Sequence, residues 1–128
     1  MDKKIKLRTY KDLIAWQRAY QLCLLTYQTV RTFPRTEQFG LTSQLKRSAL
    51  SIPSNIAEGY TRYSRPEYLR FLYISYASLA ELETQLLIVK DLNFINQITF
   101  DKIMEIQHET QRILQALIKS LQGNRASL

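Results

Sequence analysis

Histidine and cysteine are almost missing from this chain of 128 residues: there is one of each, His108 and Cys23. A lone cysteine excludes an intramolecular disulfide. A lone histidine with no Cys/His cluster leaves no zinc-type ligand set, so neither a metal nor an organic cofactor is expected. Glycine and proline number three each, too few for a glycine-rich phosphate loop or a loop-dominated chain. No apolar run approaches the roughly 20 residues that span a bilayer. Leu13-Ile14-Ala15 is cut short by Gln17 and Arg18, so neither a signal peptide nor a membrane span is read here. Cys23, between Leu22 and Leu24, fits ordinary burial in a reducing compartment, and the expected location is cytoplasmic.

What is present is apolar and basic. Hydrophobic residues make up 45 %, enough for one compact domain with a real core. The net charge is +7, and it is uneven. Residues 1–70 hold thirteen of the 18 Lys and Arg against five of the 11 Asp and Glu, an excess of +8, while residues 71–128 stand at −1. One basic surface beside a near-neutral remainder suits a polyanionic partner.

Apolar periodicity predicts four helices. The first spans about Tyr10 to Phe33, with Leu13, Trp16, Tyr20, Cys23, Tyr27 and Val30 alternating in steps of three and four. Phe33-Pro34-Arg35-Thr36 breaks it, with Thr36 as N-cap of a second helix over Glu37–Glu58. That helix carries Leu45, Ala49, Ile52 and Ile56 on one stripe and Pro53 inside it, which predicts a kink or a break and restart. Ser48, Ala49, Ser51, Ser54 and Ala57 keep the bend small enough for another backbone to come close, and Gly59 is expected to end the helix in the left-handed conformation. Ser64-Arg65-Pro66-Glu67 has capping-box spacing and opens a third helix over Arg65–Asp91, with Leu72, Tyr76, Leu79, Leu82, Leu86 and Val89 inward and Ala77 and Ala80 allowing close contacts. Thr99 is expected to cap a fourth, with Ile103, Ile106, Thr110, Ile113, Leu117 and Leu121 inward. The fold class is therefore all-α, an antiparallel up-down-up-down four-helix bundle over residues 11–122, with a basic leader at 1–10 and a frayed tail at 123–128.

Catalytic constellations are thin. Ser43-Gln44-Leu45-Lys46 has the S-x-x-K form, but its supporting motifs are missing and Lys46 adjoins Arg47 on what reads as a solvated basic face. Glu105-Ile106-Gln107-His108 has the E-x-x-H form of di-iron bundles, which needs a second copy of the motif and two further glutamates. His108 lies about 200° around the helix from Ile106, away from the apolar seam. Glu81 and Glu83, two apart, do not share a helix face. No small-molecule substrate is implied, and the protein is read as a non-enzyme.

The remaining constellation is Tyr60, Arg62, Tyr63, Arg65, Tyr68, Arg70 and Tyr73. Guanidinium groups grip phosphates and tyrosine rings stack on exposed bases. The candidate nucleic-acid-binding residues are Lys3, Lys4, Lys6, Arg8, Lys11, Lys46, Arg47, Arg62, Arg65, Arg70 and Tyr73. Arginine and tyrosine are also the residues of protein–protein interfaces, so the same run can be read as subunit contact or as plain surface. The candidate oligomer-packing residues are Ser51, Pro53, Asn55, Glu58 and Gly59 around the bend.

Between Leu13 and about Ile95 the chain resembles a known family. The residues that carry the likeness are Leu13-x-x-Trp16-Gln17-x-Ala19, Phe33-Pro34 with Glu37, Gly40-Leu41, Gln44 and Arg47, then Ser51-Ile52-Pro53-Ser54-Asn55-Ile56-Ala57-Glu58-Gly59, Phe71-Leu72-Tyr73-Ile74 and Ser78-Leu79-Ala80-Glu81-Leu82-Glu83-Thr84-Gln85-Leu86. The Ser51–Gly59 and Ser78–Leu86 blocks are the specific ones. Together they resemble the four-helix-bundle proteins encoded in intervening sequences of bacterial 23S rRNA genes, relatives of the accessory variability determinant of diversity-generating retroelements. Ala77 stands where the family usually has glycine, which adds a methyl at an expected close contact. The resemblance implies a ring-like homopentamer, which in the retroelement relatives has a positively charged surface and binds nucleic acid. In the retroelement relatives the ring partners a reverse transcriptase. It supplies no catalytic residues. The alternative is a protein–protein assembly scaffold with no direct nucleic-acid role.

Overall fold

The computed structural model describes residues 7–126, and these form a four-helix bundle: α1 (Ile14–Thr29), α2 (Leu41–Tyr60), α3 (Arg65–Asp91) and α4 (Gln97–Ala126). Each helix packs on its two neighbours in the cycle α1, α2, α3, α4. Cross-helix contacts run in opposite directions: Ser48 meets Glu81 and Ser51 meets Ser78, while Leu79 meets Gln107 and Tyr73 meets Gln122. The core holds Leu22, Leu45, Ile52, Ile56, Leu72, Leu79, Leu82, Leu86, Ile103 and Leu114, all fully buried.

Sequence and structure differ at the helix ends, each time for a local reason. The first helix is flanked by 3₁₀ turns, Tyr10–Asp12 before it and Val30–Thr32 after it. Thr9 and Asp12 form a reciprocal cap on the first of these turns. Thr36 does not cap α2. It lies in a third 3₁₀ turn, Arg35–Glu37, and α2 begins at Leu41, whose amide reaches the Glu37 carboxylate. The Ser64 cap on α3 is present, its hydroxyl accepting from the Glu67 amide. α3 ends in a Schellman arrangement, with left-handed Asn93 and the Phe94 amide bonded back to the Val89 carbonyl. Asn96, not Thr99, caps α4: its side chain accepts from the Thr99 amide. α4 then runs through Gly123 to Ala126.

α2 continues through Pro53 without breaking or restarting. Gly59 is not its left-handed terminator. It lies inside the helix with no positive φ, and the left-handed residue is Tyr63 (φ 55°). Gly59 serves proximity instead: a Cβ there would stand 2.8 Å from the Phe71 Cβ, closer than side chains pack.

The buried face of α1 is only partly the expected one: Leu13, Cys23 and Val30 are buried as expected, but the tyrosines and Trp16 are not at its centre. Ala15, Ala19, Leu22, Thr26 and Thr29 face the core, while Tyr20 and Tyr27 are exposed and Trp16 is half-buried. Alanine lets the neighbouring helices close in. The Thr26 and Thr29 hydroxyls are satisfied by the Leu22 and Leu25 carbonyls of their own helix, so they enter the core at little cost. In α4 Ile103 and Thr110 are buried as expected and Ile106, Ile113, Leu117 and Leu121 are partly buried against the core, but the buried positions also include Gln107, Leu114 and Ile118, with the Gln107 amide donating to the Leu79 carbonyl.

Candidate nucleic-acid interface

The Arg/Tyr run folds into the α2–α3 turn and the helix ends beside it. The start of the described chain joins it there, since Arg8, Thr9 and Tyr10 line one cleft with Tyr60, Thr61 and Tyr63. Arg62 and Arg70 lie over one ring: their guanidinium carbons are 4.9 and 4.5 Å from the Phe71 centroid. The same two arginines pair with acids one turn away, Arg62 with Glu58 at 2.7 Å and Arg70 with Glu67 at 3.4 Å. Such exposed pairs are worth about 0.5 kcal/mol and exchange readily for a phosphate. Arg65, Arg8 and Lys11 are exposed and make no ion pair among the described residues.

Among the described residues, the acids at this end are engaged within the chain. The Asp12 carboxylate accepts from the Arg8 and Thr9 amides, and these bonds lower its pKa, the Arg8 amide most and Thr9 next. Tyr68 lies beneath the turn, edge-on to Tyr60 at 6.0 Å. Burial, then the nearby Tyr60, pushes its phenol up to about 12.

Other candidates fall elsewhere. Lys3, Lys4 and Lys6 lie outside the described residues. Lys46 is half-buried, its ammonium 5.3 Å from the Tyr27 ring centroid, and Arg47 is exposed beside it. Both lie about 20 Å along α2 from the α2–α3 turn and are not brought into its cluster. Tyr73 faces α4, its hydroxyl accepting from the Gln122 amide. His108 meets Glu83 at 3.0 Å on the exposed α3–α4 edge, and Glu105 stands apart in solvent. Among the described residues no group of three His, Cys, Asp or Glu side chains is arranged to hold a metal ion. No helix there is long and apolar enough to cross a membrane.

The packing candidates divide between two faces. Ser51 bonds Ser78 of α3 at 2.9 Å and accepts from the Asn55 amide at 2.9 Å, while Gly59 is buried against Phe71 and Tyr68. The backbone that comes close to these small residues is α3 of the same chain. The two specific blocks of the resemblance, Ser51–Gly59 and Ser78–Leu86, both lie along the α2–α3 seam and meet at Ser51 and Ser78, with Ile52 and Gly59 facing Ser75, Phe71 and Tyr68, and with Glu81 facing Ser48. That seam, with the chain wound about it, matches the model of the 23S rRNA-intervening sequence protein over residues 11–116. The chain belongs to this family. A solved structure from the S23 ribosomal protein family, a protein of unknown function from Bacteroides thetaiotaomicron, is similar with a TM-score of 0.75 at 21 % identity, over 83 % of this chain and 99 % of that one. It shares the fold. No curated protein sequence matches the chain. Ala77, the departure from the family pattern, is exposed, and Ala80 is exposed too.

Sequence reasoning missed a second feature of this family member. Tyr10, Trp16, Tyr20, Cys23, Leu24, Tyr27, Leu50, Pro53, Ser54 and Ala57 line an open apolar groove of about 420 Å³ between α1 and α2. The periodicity of Trp16, Tyr20 and Tyr27 points inward in the sequence, whereas the structure turns these rings to the groove. Pro53 is buried at the groove floor, and burial raises the pKa of the Cys23 thiol.

Proposed function

We propose that this family member is a non-enzymatic, homo-oligomeric helical bundle that binds RNA or DNA through a basic surface at the α2–α3 end. The observation that carries the reading is the gathering of Arg8, Lys11, Arg62, Arg65 and Arg70 at one end, with acids there already engaged by their own chain. Lys3, Lys4 and Lys6 adjoin Arg8 in sequence. The family resemblance supports a ring-shaped pentamer, acting in the cytoplasm as an accessory to a reverse transcriptase or in association with rRNA. Phosphate contact of this kind is weakly selective for sequence and steeply dependent on salt. A gel-shift series with structured RNA from low to physiological salt tests it. Binding that falls linearly on a log–log plot is expected, and no binding at low salt overturns the reading.

The α1–α2 groove favours a second reading, an assembly scaffold. Tyr20, Leu24 and Leu50 are each about half-exposed along one apolar face. Contiguous exposed apolar surface of this kind marks a docking site. In a ring the two readings coexist, with grooves turned to neighbouring subunits and basic ends to solvent. Light scattering on pure protein gives the stoichiometry; a monomer at high concentration removes both the ring and the scaffold.

A further inference from the structure

Tyr63 is doubly disadvantaged by the conformation it holds. Its backbone lies in the left-handed region (φ 55°), where a bulky side chain is disfavoured and glycine is at ease. The residue is 99 % exposed and gains no burial in return. A residue kept in such a state by its surroundings points to use outside the fold.

Those surroundings are firm. The next residue, Ser64, caps α3, and the walls beside Tyr63 are braced by edge-on aromatic pairs, Tyr60 with Tyr68 and Tyr10 with Trp16 at 5.4 Å. The cleft they frame holds about 210 Å³, below the range of pockets for drug-sized ligands and on the scale of a single planar ring system. Arg8 lines it and Arg65, two residues beyond Tyr63, is exposed; neither makes an ion pair among the described residues. An acidic protein surface would answer the charge but leaves the open ring and the narrow cleft without a purpose. A nucleotide answers all three.

We propose that the α2–α3 turn binds an unpaired nucleotide of a single-stranded nucleic acid. Its base stacks on Tyr63 with an edge in the cleft, and its flanking phosphates lie on Arg8 and Arg65. Every base has a π-face, so the site tolerates sequence and selects for single-strandedness. The inference rests on the nucleic-acid reading above and narrows it, because backbone attraction alone does not distinguish paired from unpaired strands.

The test is a fluorescence titration of the full chain with three probes: a single-stranded RNA carrying 2-aminopurine, its DNA counterpart, and a blunt RNA duplex of equal length. The single strands are expected to bind more tightly than the duplex, with quenching of the 2-aminopurine on stacking. Tyr63→Gly suits the left-handed backbone, and a thermal melt checks that it folds. It is expected to weaken single-strand binding about tenfold and abolish the quench while leaving duplex binding unchanged. Tyr63→Phe is expected to restore both. If RNA and DNA single strands respond alike, stacking carries the site; a loss confined to RNA adds a 2′-hydroxyl contact to it. Equal binding of duplex and single strand, or an unchanged quench in Tyr63→Gly, overturns the proposal and leaves the broader reading standing. Absence of binding by all three probes at low salt overturns both. Unchanged nucleic-acid binding with a change of mass in light scattering assigns Tyr63 to a subunit contact and also overturns the proposal.

Discussion

The two faces of α2 are built on opposite plans. Toward α3 it presents Ser48, Ser51, Ile52 and Gly59, and the two helices close on each other. Ser51 bonds Ser78, Ser75 donates to the Ile52 carbonyl, and Gly59 admits Phe71 with no room for a methyl. Toward α1 it presents Leu50, Pro53, Ser54 and Ala57 to a row of rings, and the helices leave a groove between them. Short hydroxyls bond across a narrow gap and need few neighbours. Rings such as Trp16 and Tyr20, tilted together at 5.0 Å, hold a gap open and leave apolar surface facing out. One face completes the fold, and the other offers surface the fold has not used.

The comparison breaks most sharply at Gly59. Gly59→Val puts a branched side chain where even a Cβ is 2.8 Å from Phe71 and 3.2 Å from the Tyr68 ring and carbonyl. Overpacking of this sort costs about 3 kcal/mol, and a urea melt reads it as a lower midpoint. Stability unchanged by that substitution would mean the seam is not tight. Ser75→Ala is the milder probe. It removes one buried hydroxyl whose acceptor keeps its helix bond, so a loss of about 1 kcal/mol is expected in the same melt.

Tyr68, at the end of the seam, gives the pH dependence. Its phenol titrates near 12 in the folded chain against 10 as the ordinary value, so the fold holds this proton more tightly than the unfolded chain does. The stability it contributes is fully present below about pH 10 and is lost as pH rises through 12. Urea midpoints at pH 9 and 11 are expected to fall in the native protein and to fall less in Tyr68→Phe. Equal slopes for the two proteins would remove Tyr68 from the alkaline transition.

Much of the bundle is legible in the sequence because its signals are local. The Ser64 cap, the bounds of α3 and the stripe Leu45, Ala49, Ile52 and Ile56 depend on residues within a few turns, and all hold in the structure. The face of α1 was not legible in the same way. Ala15 and Ala19 score weakly beside Trp16 and Tyr20, yet smallness is what the core uses there, and only the positions of α2 and α4 reveal it. Gly59 shows the same limit: its residue type signals either conformational freedom or close approach, and Phe71, twelve residues on, decides for the second. For the candidate site, the Arg/Tyr composition was readable from residues 60–73, but the separation of Lys46 and Arg47 from it, and the left-handed Tyr63, required the fold.

The smallest effect on stability is expected in the groove, and it carries the most information about assembly. Leu24 is about half-exposed and lines the open groove rather than the core. Leu24→Glu therefore changes the unfolding free energy of dilute protein by no more than about 0.5 kcal/mol. If identical bundles dock through the groove, the new carboxylate is desolvated at the contact, and the mass seen by light scattering drops at a protein concentration where the native chain is assembled. If the mass holds, the groove is not the docking face, and the apolar stripe on α1 must be answered by a different partner. Gly59→Val lowers stability whichever outcome holds, so the pair separates a surface that keeps the chain folded from one that joins it to another.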